Sequence, residues 1–179
     1  MLKKRDLQEC HSLYSLMMDP AVSPYVRYAC QSYEEYLFLT KQLMVEEEQK
    51  TVISRTILNE TGQPIGTIDL YHIEHQTGFL ATWIGSPFFG NGYSQRAKSA
   101  FFVELFLEHG IETVFMKIRK QNIRSRKAVQ KLPYVKLAND VYPDVYQQIN
   151  MNEQMYDLYY VGQSAFFENS MDLHQVVAT

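Results

Sequence analysis

The sequence has little of what a disulfide-rich, metal-binding or membrane-spanning protein needs. It contains two cysteines in 179 residues, Cys10 and Cys30, too few for a disulfide framework or a paired-cysteine metal site. No uninterrupted apolar run approaches the roughly 18 residues of a membrane span, and the start MLKKRDLQEC turns polar where a signal peptide is apolar. We therefore expect a cytoplasmic protein with reduced cysteines, no metal and no membrane partner.

Acidic residues are missing from one stretch of an otherwise acidic chain. The formal net charge is −3, yet the segment from residue 117 to 131 carries seven basic residues and no acid. These are Lys117, Arg119, Lys120, Arg124, Arg126, Lys127 and Lys131. Proteins that bind a nucleic-acid duplex usually have a positive net charge. The segment therefore indicates a compact anionic ligand or a solvated helix face, and no nucleic-acid partner.

The first half of the chain changes from helical to extended patterns. Hydrophobic residues make up 46% of the sequence, enough for the core of a single domain over residues 1–179. Capping patterns that begin at Asp6 and Ser32 predict two helices. β-branched and aromatic residues over 51–85, interrupted by ETGQP and EHQTG, then predict three strands of an antiparallel meander.

The second half continues with a loop that contains two glycines and leads into a helix. Apolar residues at helical spacing predict that helix, and the stretch ETVFMKIR predicts the next strand. A strand, a helix and a strand in this order form a βαβ crossover with parallel strands. Asn122 is a predicted cap for another helix, and two closing strands flank a polar loop over 139–154. Residues 162–179 form an extension without a clear signal.

The loop and helix start SPFFGNGYSQRA, residues 86–97, are typical of a phosphate site. Gly90 and Gly92 permit turns that other residues disfavour, and the following helix points its free N–H groups at the loop. A dinucleotide fingerprint would have a third glycine at position 95, which is Gln95, and a Walker loop would need Gly-Lys-Ser/Thr. Both motifs are excluded, which leaves a turn that binds a phosphate or a purely structural one.

The element order resembles the GNAT superfamily of acyl-CoA N-acyltransferases over roughly residues 1–161. The stretches WIGSPFFGNGYSQRA and NIRSRKAVQKLPY are similar to the G-K-G-Y-x-T-E-A loop and the N-x-x-S helix of one branch, that of the ribosomal-protein alanine N-acetyltransferases and related enzymes. The resemblance implies an α+β fold: an αβα sandwich whose mixed, mostly antiparallel twisted sheet contains a central βαβ crossover. It also implies acetyl-CoA as cosubstrate, and a protein N-terminus or a small amine as acceptor. A homodimer is compatible with it.

The resemblance further implies which residues hold acetyl-CoA. Backbone amides of the loop would bind the pyrophosphate, and the end of the preceding strand would lie along the pantetheine arm. The residues implied are Trp83, Ile84, Gly85, Phe88, Phe89, Gly90, Asn91, Gly92, Tyr93, Ser94, Arg96, Asn122 and Ser125. Arg96 replaces the common glutamate of this branch, and a basic side chain there can reach a phosphate.

The resemblance leaves the catalytic groups partly open. Other branches protonate the leaving thiolate with a tyrosine where this chain has Val129, so Ser125 is the predicted acid, or else only a ligand contact. This branch often has glutamate at the position of Phe79, which leaves Glu74 as the predicted base through water. His75 and Asp144 are alternatives to Glu74. If no group acts, the alternative function is a CoA-binding regulatory protein with weak or no catalysis.

Overall fold

A seven-stranded mixed sheet lies at the centre of the computed structural model, which describes residues 1–169. The strands are β1 (Leu2–Lys4), β2 (Val52–Leu58), β3 (Pro64–Glu74), β4 (Thr77–Ile84), β5 (Thr113–Arg119), β6 (Lys136–Leu137) and β7 (Tyr156–Gly162). The helices are α1 (Cys10–Met17), α2 (Tyr33–Glu48), α3 (Tyr93–Glu108), α4 (Ile123–Gln130) and α5 (Pro143–Ile149), and residues 163–169 are also helical. The rest of the predicted extension over 162–179 lies outside the described residues.

The N-terminal helices follow the capping residues, with one difference. The Glu35 N–H donates to Ser32 Oγ at 3.1 Å where α2 begins. Asp6 caps a short 3₁₀ turn instead of α1, accepting the Gln8 N–H at 3.0 Å, and α1 continues from that turn. The edge strand β1 pairs with β2. It is missing from the prediction because three residues are too short for a recognisable pattern.

The predicted meander and crossover are both present. β2, β3 and β4 are antiparallel neighbours, whereas β4 and β5 are parallel. The parallel pairing consists of three residue pairs, the last of which joins Phe79 and Phe115. Beyond this pair, β4 continues to Ile84 and is paired only with β3. β5 continues to Arg119 and is paired only with β7. The two strands therefore part, and the sheet has a gap that opens toward the loop after β4.

The C-terminal region differs from the prediction. The segment over 139–154, predicted as a polar loop, contains α5, which begins with Pro143 and has Asp144 in its first turn. Proline and an acid both favour a helix start, but seven residues are too few to show a helical period. The first closing strand is reduced to the two residues of β6, and β7 lies between β5 and β6.

The two faces of the sheet are packed differently. One large apolar cluster joins the sheet to α3 and α4, and it includes the fully buried Phe101, Phe102 and Leu105. The opposite face, toward α1, α2 and α5, has three smaller clusters and also buries Arg5 and Asp69. We call these the core face and the polar face. Across residues 1–169, none of the helices combines the length and apolar character that a bilayer crossing requires.

Candidate active site

The gap between β4 and β5 exposes main-chain groups that neither strand pairs. Past Phe79, the edge of β4 that faces β5 has no strand partner within the described residues. Leu80 and Ile84 of this segment pack into the core face, and Thr82, between them, points the same way. The Thr82 hydroxyl is buried and finds no hydrogen-bond partner in residues 1–169. An extended ligand with its own amides can occupy the empty strand position.

The glycine loop, residues 85–92 between β4 and α3, lies at the mouth of this gap. Gly90 and Gly92 have φ angles of +79° and +75°, in the left-handed region. A Cβ at Gly90 would meet nothing within 4 Å, so the backbone conformation, not crowding, requires glycine there. Gly92 is the N-cap residue of α3 and has no side chain to accept the first helical N–H groups. Those N–H groups are therefore available to an external anion.

Arg96 is already engaged with the turn between β2 and β3. Its Nη2 lies 3.0 Å from a Glu60 carboxylate oxygen, and its Nη1 donates to the Asn91 carbonyl at 3.0 Å. The Tyr93 hydroxyl donates to the other Glu60 oxygen. These contacts hold the glycine loop against the turn, and the predicted phosphate contact of Arg96 stays a prediction.

The start of α4 lies against the same loop. The Arg124 guanidinium stacks on the Phe89 ring with its central carbon 3.8 Å from the ring centroid. Asn122 caps the helix, because its Oδ1 accepts the Ser125 N–H at 3.1 Å. Ser125 is half-buried and lies one turn before the buried Val129, on the same side of the helix. The structure thus brings Asn122 and Ser125 to the end of the sheet where the loop lies, and it leaves no proton donor at position 129.

An aromatic row crosses the polar face where the gap begins. The Phe79 and Phe115 ring centroids are 5.6 Å apart, with Tyr71 at 5.9 Å from Phe79 and Tyr142 at 4.9 Å from Phe115. Arg27, from the connection between α1 and α2, lies over the Tyr71 ring at 3.6 Å. Sequence reasoning missed this row because its members come from three different strands and from the residue before α5. The row lies beside the gap, with Tyr71 and Phe115 buried and Phe79 and Tyr142 half-buried.

The carboxylates near β4 differ in burial. Glu74, the predicted base, is exposed at the β3–β4 turn, at the opposite end of β4 from the glycine loop. Asp69 is buried on the polar face and lies opposite Ala81 in the pairing of β3 with β4. Its carboxylate accepts a hydrogen bond from the Ser54 hydroxyl at 2.5 Å. Burial raises the pKa of the Asp69 carboxyl, and the positive charge of Arg5 opposes this rise. No sequence pattern distinguishes such a buried aspartate from a surface one.

The basic segment over 117–131 is divided between β5 and α4. Lys117 lies over the Tyr156 ring at 5.5 Å, and Arg126 forms an ion pair with Asp157 at 3.2 Å. Part of the segment therefore stabilises the protein itself, and Arg124 is the member that reaches the glycine loop.

A family model, that of the acetyltransferase (GNAT) domain, matches residues 1–135. The chain belongs to the GNAT acetyltransferase family. It is accordingly an acetyl-CoA-dependent N-acetyltransferase. No curated protein matches the sequence.

Solved structures share the fold of this acetyltransferase at low identity. A nucleotide-linked sugar GNAT, FdhC, superimposes with a TM-score of 0.77 at 14% identity, covering 97% of this chain and 92% of its own. Spermidine N-acetyltransferase from Vibrio cholerae, in complex with CoA and spermine, gives 0.74 at 12% identity, covering 93% and 97%. A candidate ribosomal-protein-serine acetyltransferase from Vibrio cholerae gives 0.70 at 14%, covering 90% and 92%. At these identities the likeness establishes the fold, and it leaves the acceptor open.

Acetyl-CoA fits the residues of this site. The unpaired edges of β4 and β5 suit the amides of the pantetheine arm, which hydrogen-bond as a strand does. The left-handed Gly90 and Gly92 and the uncapped start of α3 suit the pyrophosphate. The orphan hydroxyl of Thr82 also lies on the segment of β4 beyond the parting point. The groups present are thus of the kinds that this ligand needs.

Proposed function

We propose that this acetyltransferase transfers the acetyl group of acetyl-CoA directly to a primary amine, either a protein N-terminus or a small amine. The gap between β4 and β5, with the glycine loop at its mouth, carries the proposal. The core face is filled by α3 and α4, whereas on the polar face the half-buried Phe79 lies where the gap begins. The acceptor therefore approaches from the polar face. A cytoplasmic location and a homodimer are part of the proposal, and cell fractionation and light scattering test them.

The chain's own groups orient the reactants and move two protons. Acetyl-CoA supplies an activated thioester. Unpaired N–H groups of β4 beyond Phe79 stabilise negative charge on a carbonyl oxygen held in the gap. As the amine nitrogen bonds to the acetyl carbon and the C–S bond breaks, Ser125 Oγ, which makes no hydrogen bond within residues 1–169, donates a proton to the leaving sulfur and regains one from solvent. A Ser125 that only contacts the ligand would change binding instead.

We assign the acceptance of the amine proton to Glu74, acting through water. It is exposed to solvent, which suits a base that works through water. Asp69 is the competing carboxylate, since it lies across from Ala81 in the strand pairing. Because burial raises its pKa, Asp69 is ionised, and so able to act as a base, only at a higher pH than an ordinary aspartate. A larger loss of kcat in Asp69→Asn than in Glu74→Gln would give the role to Asp69.

An acceptor screen tests the proposed function. Spermidine, peptides with free N-terminal alanine or serine, and an amino sugar are each incubated with enzyme and acetyl-CoA, and thiol release is measured. Binding of acetyl-CoA is measured beside it by calorimetry. Thiol release with at least one amine supports the proposal. Binding without release from any acceptor favours the alternative, a CoA-binding regulatory protein, and no binding contradicts both.

A further inference from the structure

Lys98 stands on the side of α3 that packs against the sheet. Ala97, Phe101 and Leu105 of this side are buried, and Lys98 is half-buried among them at helical spacing. Its Nζ donates to the Ser94 Oγ, one turn earlier, at 2.5 Å. The ammonium group is therefore on the inner side of the first turn of α3, next to the glycine loop.

This cation has no anionic partner among residues 1–169. Its hydrogen bond goes to a neutral hydroxyl, and burial lowers the pKa of Lys98 to about 8. A positive charge near a helix N-terminus is also opposed by the helix dipole, and the first turn of α3 contains no acid. In the ligand-free enzyme the position is therefore unfavourable for a charged lysine.

The neighbouring elements do not neutralise Lys98. The Arg96 charge is paired with Glu60, and α4 contributes the cation Arg124 at the loop. After α4, the Tyr134 hydroxyl is hydrogen-bonded to Ser99 at 3.1 Å.

The strands beneath this helix add no charge. Their core-face side chains in the parted region are apolar or, at Thr82, a hydroxyl without a partner. They are Leu80, Thr82 and Ile84 of β4 and Met116 and Ile118 of β5. The inner side of the α3 start is a cationic, incompletely paired site.

We propose that Lys98 is a pyrophosphate ligand of this enzyme. Its ammonium group contacts acetyl-CoA from the inner side of α3, while the amides of the glycine loop and of the α3 start contact the same pyrophosphate from the end of the helix. This inference rests on the proposed function, because it requires acetyl-CoA in the gap. It concerns a side chain that the glycine-loop pattern does not include. Its consequence is that cosubstrate binding is linked to protonation of Lys98.

The sign of this linkage follows from the two states. Free Lys98 loses its proton near pH 8, and an adjacent phosphate raises the pKa in the complex. Below that pH the lysine is charged in both states, so affinity is constant. Above it, binding takes up a proton, and affinity falls by up to about tenfold per pH unit. Acetyl-CoA suits the experiment because its sulfur carries no proton.

Calorimetric titration with acetyl-CoA between pH 7 and pH 9 tests the inference, in two buffers of different ionisation enthalpy. The wild type is expected to take up a proton above pH 8 and to bind more weakly as the pH rises. Lys98→Met should bind roughly 10- to 100-fold more weakly at pH 7, the usual worth of a hydrogen bond to a charged group. Its affinity should not depend on pH in this range. Lys98→Arg should restore affinity, also without the pH dependence.

A matched control is Lys41→Met, which removes an exposed lysine from α2 and should behave as the wild type. Thermal unfolding confirms that each variant is folded. Proton uptake by the wild type needs no variant, so the inference can be judged even if Lys98→Met fails to fold. Wild-type binding without proton uptake, or unchanged affinity in Lys98→Met, would overturn the role of Lys98 and leave the proposed function intact. Absence of wild-type binding overturns both.

Discussion

The core face and the polar face belong to the same sheet, yet they are built for different tasks. The core face has one continuous apolar cluster, in which Phe101 and Phe102 are fully buried. The polar face divides its packing among three smaller clusters and buries Arg5 and Asp69 as well. Continuous packing fixes the positions of α3 and α4 on either side of the gap. The difference teaches that one face supplies rigidity, and in the proposed function the other supplies the surface that the acceptor meets.

The largest expected effect is a loss of stability on the core face. Phe101→Ala leaves a cavity in the continuous cluster, and we expect the free energy of unfolding to fall by about 3–5 kcal/mol. Phe38→Ala is the matched control, because Phe38 of α2 is 69% exposed. Urea unfolding measures both. If the free energy of unfolding fell by a similar small amount in both variants, the core face would not carry most of the stability.

A substitution at Ser125 tests whether this residue beside the gap serves catalysis and not the stability of the fold. We expect Ser125→Ala to reduce kcat by about 10²-fold, the usual worth of a positioned acid, with an unchanged KM for acetyl-CoA. The helix cap survives, because Asn122 accepts the backbone N–H of this residue. Steady-state kinetics distinguishes the roles. A raised KM with an unchanged kcat would make Ser125 a ligand contact, and Tyr142 would be tested next as the acid.

Valine substitutions at the glycines of the loop, compared with one elsewhere, distinguish an effect on ligand binding from the cost of backbone strain. Gly90→Val and Gly92→Val should weaken acetyl-CoA binding tenfold or more, which corresponds to about 1.4 kcal/mol. Gly110→Val is a matched control, since Gly110 has φ +66°, meets nothing within 4 Å at its Cβ position, and lies at the other end of α3. All three should lose stability by about 1–2 kcal/mol from left-handed strain. Equal affinity in the loop variants and the control would argue against a pyrophosphate site.

The smallest expected effect concerns the buried charge of the polar face. Burial raises the pKa of Asp69 in the folded state. Its ionisation therefore destabilises the fold progressively as the pH rises from the ordinary pKa of an aspartate to the raised pKa in the folded protein. Asp69→Asn cannot ionise, so its melting temperature should exceed that of the wild type by more at pH 8 than at pH 5. Thermal unfolding over this range measures the difference. A difference that grows as pH falls would mean that the charge of Arg5 outweighs burial.

The sequence predicts most of the fold because its signals are local. The caps at Asp6 and Ser32, the alternating strands, and the glycines before α3 all act through neighbouring residues. The short elements β1 and α5 escape prediction, since their stability comes from the sheet and helices they pack against.

The candidate site is predictable to a smaller extent. The loop and the N-x-x-S helix are visible as motifs, and their meeting at the gap follows from the crossover. Asp69 and Lys98 give no such signal, because a charged residue reads as exposed until its burial is known. The aromatic row likewise exists only in three dimensions.

The central claim is that the gap between β4 and β5 binds acetyl-CoA as an added strand. Hydrogen exchange followed by mass spectrometry, with and without acetyl-CoA, tests this claim most directly. We predict slower exchange in peptides that cover residues 80–84, 88–95 and 116–122, with little change in the β2–β3 pairing. Unchanged exchange in these peptides at saturating acetyl-CoA, or protection confined to another part of the chain, would contradict the account.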